Sequence, residues 1–310
     1  MSETDLRPQD AKTSFVDHIV PLALRPYARL ARLDRPVGWQ LLLIPCLWSQ
    51  ALAALAVNRA PSLYSILLFT LGAIAMRGAG STWNDFLDRD IDRQVERTRN
   101  RPLAVGTVAP RQALAFIAVQ CLIGLLVLVQ FNWFAIGVGV ASLGLVALYP
   151  LAKRYISHPQ IVLGAVFSWG ALMGWAGMIG SLSLAPSLLY FATMAWIIGY
   201  DTIYAMQDIE DDAMIGIGST ARVYGHHALW FVGICYAVAM ISFGAALWLV
   251  TPNWLARCSV LLLAAGLILQ LSRLAQAGVP APAPVALALF KSNAMLGAAV
   301  AAMLLLGAVF

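Results

Sequence analysis

From Tyr64 to Asp92 the chain reads YSILLFTLGAIAMRGAGSTWNDFLDRDID. Its first part, Tyr64–Thr82, is apolar or small with a single charge at Arg77, and its last part carries Asp85, Asp88, Asp90 and Asp92. A membrane-crossing helix needs about 20 mostly apolar residues, and this run has that length. The composition extends the reading to the whole chain. Of 310 residues 61% are hydrophobic and 11% charged, against about 25% charged in a soluble domain. Eight further runs have the same character: Val37–Val57, Gln112–Gln130, Trp133–Tyr149, Ile161–Gly180, Pro186–Met206, Trp230–Val250, Trp254–Leu271 and Pro284–Phe310. Lipid offers the backbone no hydrogen-bond partner, so each run should be helical. The expected fold is an all-α polytopic membrane protein of about nine transmembrane helices, residues 37–310, after an N-terminal segment, residues 1–36.

The cations give an orientation. The N-terminal segment has Arg7, Lys12, Arg25, Arg29, Arg32 and Arg35, and the loop from Asn84 to Arg111 has six more arginines. Lys153, Arg154, Arg222 and Arg273 fall on the same side, and only Arg59 and Arg257 on the other. The positive-inside rule then places the N-terminus and both acid-rich loops in the cytoplasm and the C-terminus outside. No early apolar run precedes a small-residue cleavage site. Glu3, Asp5, Asp10 and Asp17 argue against an acid-poor transit peptide, so a bacterial inner membrane is expected. Cys46, Cys121, Cys235 and Cys258 lie far apart in apolar runs and read as small packing residues. The net charge of +5 comes from loop arginines and forms no basic stripe for nucleic acid.

The acids are clustered. Five precede the first span, five lie between Asp85 and Glu96, and five lie between Asp201 and Asp212, after which there are none. Each cluster follows a span, the second and the sixth. A four-helix offset suggests an internal duplication that brings both loops to one face. Asp85, Asp88 and Asp92 are spaced i, i+3, i+7 on one helical face, with Asn84 and Asp88 at i, i+4. Asp208 stands seven residues after Asp201, one turn after Tyr204, and before Asp211 and Asp212. Like charges so spaced repel, and beside a bilayer they are costlier still. Magnesium, held by one or two carboxylates and phosphate oxygens, would offset that repulsion. A transporter would place such acids near the membrane midplane; here they sit at span ends.

These residues resemble a known family. Asn84-Asp85-Phe-Leu-Asp88-Arg-Asp90-Ile-Asp92 is similar to the first motif of the UbiA superfamily of intramembrane aromatic prenyltransferases. Glu96 through Leu103 continues the likeness. Tyr200-Asp201-Thr-Ile-Tyr204-Ala-Met-Gln-Asp208-Ile-Glu-Asp211-Asp212 resembles the second motif in the form used by its para-hydroxybenzoate polyprenyltransferases. Leu33 through Gly38, Tyr149 through Arg154 and His158 through Gly164 resemble that group too, and the likeness runs from about Arg32 to Asn293.

The resemblance implies nine helices around a central cavity. It also implies magnesium-dependent transfer of a polyprenyl group from polyprenyl diphosphate to the ring carbon ortho to the hydroxyl of 4-hydroxybenzoate, in ubiquinone biosynthesis. Another aromatic acceptor is the alternative within the superfamily. Metal ligands would be Asp85, Asp88, Asp92, Asp208 and Asp212, with Asn84 assisting metal or phosphate. Asp201 would orient the phenol or take a proton, and Asp208 or Asp211 would serve metal or water. Arg77, costly inside a span, would receive the acceptor carboxylate, with Arg35 and Arg154 as alternatives. Lys153, Tyr204 and Arg222 would complete the substrate contacts. Two positions depart from the family pattern: Ile209 and Gly218 stand where a basic residue is usual, which would either weaken binding of the prenyl donor or be compensated by Arg222. Lys291-Ser292-Asn293 either borders the cavity or caps a helix.

Overall fold

The computed structural model describes residues 14–94, 98–209 and 218–310. Among them there is helix and turn but no strand, and helices stand at all nine expected runs. We number the long ones α1 (Val37–Ala56), α2 (Leu63–Asp92), α3 (Pro110–Leu128), α4 (Trp133–Tyr155), α5 (Pro159–Phe167), α6 (Gly170–Ile179), α7 (Leu184–Ala205), α8 (Ala228–Val250), α9 (Trp254–Ala277) and α10 (Ala283–Val309). The expected fifth run is the pair α5–α6, broken at Ser168–Trp169. By length and composition seven of the described segments can cross a membrane. The other two runs, α4 and α7, are helices of 23 and 22 residues. The chain is an all-α polytopic membrane protein. Its surface agrees: α3 exposes Leu114, Val119, Leu122, Leu125 and Leu126, and Trp133, Trp248 and Trp254 are exposed near helix ends, where membrane interfaces favour tryptophan.

The helices fall into two compact units. One comprises Met1–Gln40 and Leu68–Gln130, the other Leu41–Leu67 and Phe131–Phe310. In the first, Leu30, Leu103, Val108 and Ala113 form a small core, with Tyr27, Phe86 and Phe116 against it. That core joins the short helix Arg25–Leu30, the turn Pro102–Val105 and α3 beside the polar end of α2.

In the second unit α7 packs lengthwise on α8, and α9 on α10. Lipid tails are as apolar as leucine, so close backbone approach and internal polar contacts must hold such helices together. Gly174 shows the first device: a Cβ there would strike the Cys46 carbonyl and stand 2.8 Å from the Gln50 nitrogen. A buried ladder shows the second. Trp48 stacks on Trp196 with ring centroids 5.0 Å apart. Trp48 Nε1 donates to the Gly297 carbonyl at 2.9 Å and Trp196 Nε1 to Asn293 Oδ1 at 2.8 Å. Tyr236 donates to Gln270 Oε1 at 2.8 Å, and Gln270 Nε2 to Ser292 Oγ at 3.0 Å. Ser292 and Asn293 therefore join helices in mid-span rather than cap one. The four cysteines are free thiols, Cys46 and Cys235 buried.

Candidate functional site

In the first unit the end of α2 carries the first acidic cluster. The buried residues of its C-terminal half include Gly78, Ser81, Thr82, Asp85 and Asp92, so Asp85 and Asp92 lie on the stripe that faces protein. The Asp85 side chain is 0% exposed. Arg32 Nη2 donates to its two oxygens at 2.7 and 2.9 Å, and Arg101 Nη1 adds a contact to Oδ1 at 3.0 Å. The same Arg101 nitrogen reaches Asp92 Oδ1 and Oδ2 at 3.0 and 2.9 Å. Two guanidinium groups thus meet two carboxylates, and the buried charge is balanced. Burial lowers the Arg32 guanidinium from its usual value, with Asp85 acting in the opposite direction.

The backbone at Arg32 is unusual. Its φ is +58°, the left-handed region that glycine favours. Arg32 N–H donates to the Arg29 carbonyl at 3.0 Å and Leu33 N–H to that of Ala28 at 2.9 Å. This paired closure after the short helix normally has glycine at the left-handed position. An L-residue there costs roughly 1–2 kcal/mol. Its guanidinium contacts to Asp85 are a physical reason for an arginine at that position.

Asn84 and Asp88 occupy the flank of α2, where Asn84 Nδ2 donates to Asp88 Oδ2 at 3.2 Å. Asn84 Oδ1 is buried and has no hydrogen-bond partner. An unsatisfied hard oxygen beside a carboxylate suits magnesium chemistry. Among the described residues no three His, Cys, Asp or Glu side chains converge as a ready metal cage. The fit is therefore to an ion arriving with phosphate oxygens. Arg77 lies against the backbone of Gly38: a Cβ there would come within 2.7 Å of its Nε. Arg35 Nε reaches Asp34 Oδ2 at 3.4 Å and is only partly buried.

In the second unit Asp201 and Tyr204 stand on the last turns of α7, and Asp208 in the 3-10 turn Met206–Asp208 that continues it. The Tyr204 ring lies 4.4 Å from that of Phe290, and the buried Tyr200 ring 5.7 Å from it. Thr202 Oγ1 and Thr220 Oγ1 are 2.7 Å apart, and Thr220 N–H donates to the buried Gln160 Oε1 at 3.0 Å. These bonds seat the short helix Thr220–Tyr224 on α7 and α5. Ser219 caps that helix by accepting from Arg222 N–H at 3.3 Å, which leaves the Arg222 side chain exposed. Gly218 packs on backbone: a Cβ would stand 2.5 Å from the Ile156 carbonyl oxygen. Glu96, Asp211 and Asp212 lie outside the described residues, as do the side chains of Lys153 and Arg154.

Arg32, Arg101, Gln160 and Thr220 were not among the expected site residues. Arg32 and Arg101 are visible in the sequence as loop cations, which topology alone explains. Their carboxylate partners lie 53 and 16 positions away.

A model of the UbiA prenyltransferase family matches residues 42–294. The mitochondrial 4-hydroxybenzoate polyprenyltransferase of Drosophila pseudoobscura pseudoobscura is 51% identical over 222 residues, 71% of this chain and 55% of that protein. The chain spans about half the length of such curated relatives. An apo UbiA homolog from Aeropyrum pernix K1 aligns with a TM-score of 0.67 at 29% identity, over 87% of this chain and 96% of the other. A UbiA homolog from Archaeoglobus fulgidus bound to GPP and Mg2+ aligns with a TM-score of 0.71 at 19% identity, over 92% and 100%, a likeness of fold.

Proposed function

The chain belongs to the UbiA prenyltransferase family, and from that premise we propose that it is a magnesium-dependent 4-hydroxybenzoate polyprenyltransferase. It would transfer the polyprenyl group of polyprenyl diphosphate to the ring carbon ortho to the hydroxyl, as the names of its relatives suggest. The observation that carries this reading is the end of α2, where Asn84 Oδ1 and Asp88 offer hard oxygens on the helix whose Asp85 pairs with two partly buried arginines. Magnesium, when bound, supplies the Lewis-acid charge that makes diphosphate a better leaving group.

This chain's residues do the rest. Asn84 and Asp88 would hold one magnesium ion, and the acids of the second motif, Asp208 and Asp212, would hold another, with Asp211 serving metal or water. Arg222 and Lys153 supply substrate contacts, and Arg35 and Arg154 are the alternatives to Arg77 for the acceptor carboxylate. The allylic carbon–oxygen bond breaks and its electron pair leaves with diphosphate. The ring carbon ortho to the phenol donates its π electrons to the allylic carbon, and loss of the ring proton restores aromaticity. Asp201 orients the phenol or accepts that proton. Arg77 grips the acceptor carboxylate, for which a guanidinium fork is suited, and Tyr204 borders the donor. Residues 37–310 form the transmembrane catalytic domain, with residues 1–36 and the Asp-rich loops on the cytoplasmic face of a bacterial inner membrane. The relatives' names place those proteins in mitochondria, so the membrane is part of the proposal.

Membranes holding the protein, given 4-hydroxybenzoate, a long polyprenyl diphosphate and magnesium, should yield prenylated hydroxybenzoate. A chelator should abolish it. Absence of product with this acceptor, but product with another aromatic acceptor, would overturn the assignment.

A further inference from the structure

The first acidic motif contains chemically equivalent carboxylates at regular spacing, yet they stand in different surroundings. Asp85 is wholly buried, with two oxygens taken by two arginines. Asp88 lies on the flank of the helix, bonded to an asparagine whose oxygen is unsatisfied. We propose that Asp85 is a positioning residue rather than a magnesium ligand: with Arg32 and Arg101 it fixes the cytoplasmic loop and the N-terminal segment to the end of α2. This rests on the proposed reaction only for its activity readout.

The geometry favours this division in three ways. First, a magnesium ion at Asp85 would have to displace guanidinium nitrogens at 2.7, 2.9 and 3.0 Å. That would strand the Arg32 guanidinium, whose contacts at 2.7 and 2.9 Å are both to Asp85, while Arg101 would keep Asp92, and breaking a buried ion pair from one side is strongly destabilising. Second, the partners come from separate stretches of chain. Arg32 follows the helix Arg25–Leu30, and Arg101 immediately precedes the turn Pro102–Val105. Leu30 and Leu103, neighbours of these arginines, meet in the same small core, so the ion network sets the register of segments whose apolar contacts are few. Buried ion pairs are best attested in that register-setting role. Third, Arg32 is held in the left-handed region where glycine is usual.

The loop is stitched to α2 at further points. Thr98 Oγ1 donates to the Asp92 carbonyl at 3.1 Å and Arg93 Nε to the Ala104 carbonyl at 3.0 Å. Asp85 is the point at which both segments converge, so its loss should loosen both.

The experiment compares Asp85→Asn and Asp88→Asn in the full-length protein, with Arg32→Gln as an independent break of the same network. Hydrogen exchange is followed at the amides of Arg101, Val105, Gly106 and Val108, each bonded within the loop, with no substrate or metal added. Magnesium is titrated in the prenylation assay. Asp85→Asn and Arg32→Gln should speed loop exchange by roughly tenfold or more and lower turnover, with the half-saturating magnesium concentration unchanged. Asp88→Asn should raise that concentration by roughly tenfold. A rise in half-saturating magnesium for Asp85→Asn like that for Asp88→Asn, with loop exchange unchanged, would overturn the proposal. If Asp85→Asn does not accumulate, Arg32→Gln decides: unchanged exchange refutes the network, faster exchange supports it. A parent without prenylation activity defeats the proposed function but leaves the exchange comparison able to decide the network.

Discussion

Replacing Gly218 by lysine would restore the positive charge usual at that position in the family, and the structure predicts that the repair fails. A Cβ at 218 would stand 2.5 Å from the Ile156 carbonyl oxygen and 3.1 Å from Ser157 Cα. Ordinary carbon–oxygen contact begins near ~3.3 Å, so the two backbones must part by most of an ångström. Neither obstructing atom is the end of a flexible side chain. The seam cannot open without pulling on its next stitch, the Thr220 N–H bond to Gln160 Oε1 at 3.0 Å. Overpacking of this kind costs about 1–3 kcal/mol, equivalent to roughly 5- to 150-fold in the equilibrium that seats the helix Thr220–Tyr224. Gly218→Ala carries the steric part without the charge. Thermal unfolding in detergent and the KM for polyprenyl diphosphate should be measured for Gly218→Ala and Gly218→Lys. Both should melt below the parent, and both should raise the donor KM alike. A Gly218→Ala protein indistinguishable from the parent would refute the packing argument. A Gly218→Lys protein with a lower donor KM would show that charge outweighs it.

Asn293→Leu strands the buried Trp196 indole N–H, and an unsatisfied buried donor costs about 1–3 kcal/mol; the variant should melt below the parent, while Asn293→Gln tests whether the longer amide restores the contact. Arg77→Ala should raise the KM for 4-hydroxybenzoate by roughly 10- to 100-fold, as expected for a lost charge-assisted contact, with the donor KM little changed; the reverse pattern would place Arg77 on the diphosphate. Gly174→Leu drives a side chain into the backbone of α1 at Cys46 and Gln50 and should prevent accumulation of folded protein, read as loss of the monodisperse peak on size exclusion.

The membrane fold is legible in the sequence because it needs only a count of apolar residues between charges. α2, α3 and α8–α10 lie where the hydropathy runs end, with α2 continuing past Thr82 to Asp92. The continuation has a local cause: Asp85, Asp88 and Asp92 can follow the helix into the polar region because Arg32, Arg101 and Asn84 answer them. The break between α5 and α6 was less legible. The run Ile161–Gly180 is apolar apart from Ser168, and the Ser168 hydroxyl bonds back to the Gly164 carbonyl at 2.5 Å, a competition with the helix ladder that hydropathy ignores. The site was legible to the level of motif and not of role. Periodicity placed Asp85, Asp88 and Asp92 on one face, and that face is wide enough to hold two environments, the buried stripe of Gly78, Thr82 and Asp85 and the flank of Asn84 and Asp88. What separates them is Arg32, 53 residues upstream of Asp85, in a segment whose cations are fully accounted for by the positive-inside rule. An arginine that satisfies topology carries no local mark of a second task. The signal that would have revealed it is conformational: two bonds closing a short helix around a left-handed position, with an arginine where glycine is usual. Spacing along a helix can therefore nominate carboxylates for metal, but partners that arrive from distant segments, as Arg32 and Arg101 do at Asp85, decide what a nominated carboxylate does.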